Sequence, residues 1–188
     1  KFHSEYQRGE LAMQPLPDLT LTAILDRMPV ARLALRELDD EPAALPIVFA
    51  RAAGALWSPI DGKRKRGGAT LGRLARLERA PRVMLVLDHY HADWSTLWWL
   101  RLRCDAQVIV GEHPDWAAAV AALRDKYPQY QTTPLFRDEP ILVRLVWTSV
   151  AWWTAAPDGL ARWLAAQPPV QGGLLGAGPA APPPVASV

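Results

Sequence analysis

From Val30 the chain alternates apolar and polar positions in VARLALREL, with Arg32, Ala34 and Arg36 on one side and Ala31, Leu33 and Leu35 on the other, which predicts a half-buried strand. A polar turn, Asp39 to Pro42, separates it from ALPIVFARA, read as one antiparallel partner strand. ALWSPI, residues 55 to 60, follows Gly54 as a short third strand. Leu71, Leu74 and Leu77 then recur with helical spacing up to Pro81, and Arg73, Arg76 and Arg79 form the neighbouring face. RVMLVLD is nearly continuous in apolar residues, the pattern of a strand buried on both faces and central in its sheet. After a polar loop, His89 to Thr96, a long strand is predicted from about Leu97 to Val110, then a helix from Pro114 to Tyr127, then a last strand in ILVRLVWTSV running on to Thr154. Ahead of all these, Thr20 is a candidate cap for a short helix with Leu21, Ile24, Leu25 and Met28 on one face, stopped by Pro29.

These elements place one domain at residues 15–155, between an opening segment, 1–14, without periodicity and a Pro, Ala and Gly-rich tail, 156–188. The tail is expected to stay out of the core, with Leu160 to Leu164 as the exception if Trp163 packs on the body. A chain of 188 residues with half of them hydrophobic supports one buried core. The net charge is +2 and the cations concentrate between positions 63 and 82, so a compact anion is expected as ligand and a nucleic acid is not. Cys104 is the sole cysteine, which excludes an internal disulfide and fits a reducing compartment. With no apolar signal core and no long apolar run, the expectation is a cytoplasmic protein without a membrane segment.

Two stretches carry candidate chemistry. Lys63, Arg64, Lys65 and Arg66 follow the third strand, and Gly67 and Gly68 lead into a helix whose first amides are unpaired, so cations, free N–H groups and the helix dipole converge on one anion. Alternation along an extended segment sends Lys63 and Lys65 to the same side and Arg64 to the other. Such a run also serves as a solvated turn, and the arginines at 73, 76 and 79 as a plain surface face. The second stretch holds Asp88, His89, His91 and Asp93, which has the residue types of a metal site; two histidines without further ligands do not make one, and no metal is expected. Trp94, Trp98 and Trp99 read first as core or interface anchors.

The succession DGKRKR, RLARLERAPRVMLVLDHY, DWSTLWWLRLRCDAQVI and LRDKYPQY resembles the pyridoxamine-phosphate-oxidase-like split-barrel family, and within it the branch that uses the deazaflavin F420. The similarity covers about residues 20 to 154. It implies a mainly β fold with α: a split β-barrel of about six antiparallel strands, Greek-key-like, with helices covering its ends. It also implies a homodimer that binds F420, or alternatively FMN, in a groove between subunits. By the same resemblance Lys63, Lys65 and Arg66 hold the cofactor phosphate, Ser58, Pro59 and Ile60 offer backbone contacts along the ring edge, and Trp94 and Trp98 border the groove. Arg73 and Arg76 are candidates for the acidic tail of a deazaflavin. The chain departs from the family at Gly67, Gly68 and Ala69, where polar or basic residues are more usual, and at Ala80, where Asn is. The implied function is hydride transfer between the cofactor and a small unsaturated molecule, with no catalytic side chain assigned, since the cofactor carries the chemistry. A non-catalytic module for flavin, F420 or haem is the alternative.

Overall fold

The computed structural model describes residues 15–60, 69–136 and 139–168. Its elements run α1 (Asp18–Arg27), β1 (Ala31–Arg36), β2 (Pro42–Ile47), β3 (Ala50–Ala52), β4 (Ala55–Pro59), α2 (Ala69–Arg79), β5 (Arg82–His89), β6 (Trp98–Val110), α3 (Trp116–Lys126), β7 (Ile141–Thr154) and α4 (Gly159–Ala166). The strands form one sheet in the order β2-β1-β5-β6-β7-β4-β3, antiparallel at every pairing.

The two outermost strands of that order, β2 and β3, are separated in sequence by Val48 and Phe49 alone. The three steps from Ile47 to Ala50 span at most about 11 Å, so the sheet must curl until its edges come together at this corner. The corner is fastened at Phe49, whose N–H donates to the Tyr127 hydroxyl at 2.9 Å while that hydroxyl lies 2.8 Å from the Phe49 carbonyl and 2.9 Å from that of Pro29. The result is a split β-barrel, mainly β with α, as expected. Seven strands replace the expected six because the segment read as one strand, ALPIVFARA, breaks at this corner and serves two edges.

Alternation selects the interior. Ala31, Leu33 and Leu35 of β1, Val83, Leu85 and Leu87 of β5, and Leu100, Leu102, Cys104 and Ala106 of β6 are buried together, with Leu77 of α2 added from one side. β5 is therefore buried on one face only, and β6 takes the middle of the sheet, which corrects the reading of RVMLVLD as the central strand. The strand buried on both faces is β4: Leu56 and Ile60 join the barrel interior, and Trp57 joins a second cluster with Leu142, Ala119, Leu123 and Tyr127 under α3. Trp57 is fully buried, and its indole N–H donates to the Ala52 carbonyl at 3.0 Å.

Three local expectations shift. α1 opens on Pro17 without a side-chain cap, so Thr20 lies inside the helix. Arg76 pairs with Glu37 at 2.6 Å and Arg79 with Asp40 at 2.7 Å, so these arginines hold α2 to the β1–β2 turn and Arg76 is engaged away from any acidic ligand. Finally, α4 forms within the segment assigned to the tail, and Leu160 and Trp163 are buried in the main core. Residues 1–14, the run Lys63 to Gly68 and the end of the tail lie outside the described residues.

Candidate functional site

β4 positions the first group of expected site residues. Ser58, Pro59 and Ile60 are all buried, Ser58 being 4% exposed. Ser58 lies opposite Val143, Pro59 opposite Leu142, and the Ile60 N–H donates to the Ile141 carbonyl at 3.0 Å. On the other side β3 reaches only as far as the Ala50–Trp57 pair, so, among the described residues, positions 58–60 have a strand neighbour on the β7 side alone. In an antiparallel ladder a residue turns its N–H and C=O to the same neighbour, and successive residues alternate. Ile60 and Ser58 therefore face β7, and Pro59, which has no N–H to waste, turns its carbonyl to the open side. Of the three residues expected to meet a ring edge, Pro59 is the one with a backbone group to offer, an acceptor. The chain then enters the cationic segment with Lys63, Lys65 and Arg66, which lies outside the described residues.

The second group sits elsewhere. Trp98 pairs with His89 of β5 and with Thr154, at the end of β7, whereas Pro59 pairs with Leu142, near its beginning. Twelve positions of strand separate Leu142 from Thr154, a path of about 40 Å at the usual strand rise. Within one chain, Ser58, Pro59 and Ile60 thus line one end of the barrel and Trp98 the other. One chain therefore does not bring the two groups together. Trp94 stands on a 3-10 turn, Trp94–Thr96, and is 76% exposed.

Around Trp98 the rings converge. The Trp98 and Trp163 centroids are 4.7 Å apart at 68°, His89 is 6.5 Å from Trp98 and 6.3 Å from Trp163, and the His89 and His91 rings lie 6.0 Å apart and nearly parallel. Trp98 is 1% exposed, and its indole N–H has no acceptor among the described residues. The neighbouring carboxylates are committed: Asp88 pairs with Arg32, and Asp93 accepts from the Ser95 N–H at 3.0 Å and hydroxyl at 2.7 Å. The Ser95 hydroxyl is the main reason that the Asp93 carboxyl titrates below its ordinary range. Among the described residues no three His, Cys, Asp or Glu side chains gather as a metal site would require.

Lys126 and Cys104, both beyond the expected site, have strongly shifted protonation. Lys126, at the end of α3, donates to the Leu25 carbonyl at 2.7 Å and stands 3.8 Å above the Phe49 ring; burial pulls its pKa down to about 7, against the attraction of Asp26. Burial pushes the Cys104 thiol up to about 12, which makes it an inert core residue at neutral pH. Neither had a sequence signal, because both shifts depend on which distant residues close over the group. Trp163 did have one, the helical spacing of Leu160, Trp163 and Leu164 inside an otherwise featureless composition.

No family model and no curated protein matches the chain. Solved structures do. A conserved hypothetical protein of Mycobacterium tuberculosis is 16% identical and superposes with a TM-score of 0.60, over 87% of this chain and 96% of that one. The haem storage protein HutZ from Vibrio cholerae is 13% identical at a TM-score of 0.57, over 73% and 93%. A FAD-binding protein from Mesorhizobium loti is 16% identical at 0.53, over 73% and 92%. At such identities the likeness establishes the architecture: the chain has the split-barrel fold that these proteins share.

Proposed function

We propose that the chain binds a flavin-type cofactor, F420 in preference to FMN, at the β4 end of the barrel, and that it is an oxidoreductase transferring a hydride between that cofactor and a small unsaturated substrate. The observation that carries this reading is the handover at the end of β4, where a Pro59 carbonyl with no strand partner among the described residues is followed within a few residues by Lys63, Lys65 and Arg66. An acceptor for a ring N–H and cations for a phosphate succeed one another along the sequence. The bound cofactor would supply the hydride. The protein would supply orientation, through Pro59 and the cations, and a wall of buried side chains, Ser58 and Ile60 among them, that keeps water from the ring. The match in fold to a FAD-binding protein supports the cofactor class, and the choice of F420 rests on the sequence resemblance.

A homodimer belongs to this proposal. With Pro59 and Trp98 at opposite ends of β7, one cofactor meets both groups only if a second copy brings its Trp98 end to the β4 end of the first.

Titration of the protein with F420 and with FMN, followed by fluorescence, tests the reading. Lys63→Ala and Lys65→Ala should each weaken binding by about 1.5–3 kcal/mol, the scale of a hydrogen bond to a charged group, and Arg64→Ala should do little. Tighter FMN binding overturns the choice of cofactor, and an unchanged affinity in the Lys63/Lys65 double variant removes the phosphate site.

A second reading, a haem-binding module, is favoured by one feature. His89 and His91 present nearly parallel imidazoles beside the Trp98–Trp163 pair, and HutZ has the same fold. Haem titration giving a sharp Soret band that His89→Ala abolishes would establish it over the flavin reading.

A further inference from the structure

The face of β1, β5, β6 and β7 that turns away from the barrel interior carries a second concentration of positive charge. Ala34, Met84, Arg103 and Ser149 stand in one row across the four strands, and in the next row Arg82 lies opposite Asp105. Here the sheet forms a groove of about 640 Å³, walled by Arg36, Arg82, Arg103 and Asp105 and floored by Ala34 and Met84. That volume suits a small organic ligand, whose sites typically measure about 300–1,000 Å³.

The β6–β7 ladder is irregular at this place. Arg103 pairs with Ser149 and Cys104 with Trp147, which leaves Thr148 as an extra residue; its hydroxyl donates to the Arg103 carbonyl at 3.3 Å and it lines the groove. A bulge twists a strand locally and re-aims the side chains beside it, and bulges concentrate next to binding sites. The charge is unbalanced as well. Arg36 approaches Asp40 at 3.3 Å, whereas Arg82 and Arg103 form no ion pair among the described residues. Three guanidinium groups thus surround an apolar floor with one lining carboxylate, Asp105, between them. Guanidinium forks match carboxylate and phosphate oxygens, and an apolar floor suits a flat organic body.

We propose that this groove binds a small organic anion, with its flat apolar part on Met84 and Ala34 and its carboxylate or phosphate held by Arg82 and Arg103. The site shares no residue with Ser58, Pro59, Ile60, Trp94 or Trp98, so it stands whichever cofactor the chain takes.

Calorimetric titration of the full chain with benzoate, phenyl phosphate, the neutral benzamide and inorganic phosphate tests it. Benzoate or phenyl phosphate should saturate one site per chain, and the tighter of the two identifies the anionic group. Benzamide should bind at least about tenfold more weakly, and Arg82→Ala and Arg103→Ala should each weaken the anion by about tenfold or more. Arg103→Gln serves as the milder variant, and unchanged melting temperatures show that the fold is intact. Arg101→Ala, one row away and stacked over Trp99, should leave affinity unchanged. The proposal fails if inorganic phosphate binds as tightly as phenyl phosphate, if affinity survives loss of Arg103, or if Arg103→Glu converts a dimer to monomer, which would make a second copy the groove's occupant.

Discussion

Trp163 of α4 meets Trp98 of β6 edge to face at 4.7 Å, joining the last described helix to the start of β6. Both side chains are buried, so Trp163→Ala removes a large apolar contact and leaves a cavity over Trp98. The expected cost is about 3 kcal/mol, a fall in melting temperature of roughly 6–12 °C for a chain of this size. Truncation after Ala155 should cost at least as much. A melting curve that does not move would mean that the helix is only lightly docked.

The turn that delivers α4 leaves no room for a side chain. A Cβ on Gly159 would sit 2.6 Å from the Thr154 hydroxyl, which donates to the Ala156 carbonyl at 3.0 Å, and 3.3 Å from the Ser95 carbonyl. Gly159→Ala should destabilise by about 1–2 kcal/mol through displacement of that hydroxyl. In a Thr154→Ala background most of this penalty should vanish. Denaturant unfolding of the four variants in a double-mutant cycle gives the coupling directly, and additive costs would refute the steric explanation.

Lys126 makes stability depend on pH in a definite direction. Its pKa is about 7 in the folded chain against an ordinary 10.5, so above pH 7 the unfolded chain holds a proton that the folded chain has released. Stability from this group is therefore least below pH 7, grows from about 7 upward and is complete only above 10.5. Cys104, whose thiol is raised from 9.0 to about 12, acts in the opposite sense from pH 9. Between pH 7 and 9 the contribution of the lysine should stand alone. Chemical denaturation across that interval should show a rising slope that Lys126→Met abolishes, and an equal slope in both proteins would sink the assignment.

Sedimentation velocity at micromolar concentration should show a dimer. The motive is the separation of Pro59 from Trp98 along β7, together with Trp94 at 76% exposure beside the Trp98 end. Aromatic side chains are enriched in interface cores, and a stable interface buries more than about 1,000 Å² in total. A monomer at that concentration would also remove the two-subunit groove.

How far the sequence foretold this structure depends on how local each cause is. Strand alternation in β1 and helical spacing in α2 and α3 are set by near neighbours, and they were readable. The corner at Phe49 was not: Val48 and Phe49 continue an apolar run, and only the Tyr127 hydroxyl, 78 residues away, shows why the chain turns there. The central place of β6 likewise follows from pairings between distant segments, which a run of apolar residues in β5 cannot disclose. For the site, Ser58, Pro59 and Ile60 came out together because they are consecutive, but the position of Trp98 relative to them depends on the whole length of β7. Arg76 was open to two readings until Glu37 was found beside it.

The exposed rim strand β2 has a consequence for how this molecule can associate. Its partner β1 faces Pro42, Ala44 and Pro46 across from Arg36, Ala34 and Arg32, so these three residues share one parity along the strand. Prolines are tolerated in a ladder where no donor is required, which turns this set of backbone groups outward. Two of the three outward positions therefore lack an N–H, and an incoming strand would find Ala44 as the sole donor among them. Runaway stacking of barrels, edge upon edge, is blocked at this rim by covalent chemistry rather than by charge. Any neighbour this protein accepts at that rim must come to it through side chains.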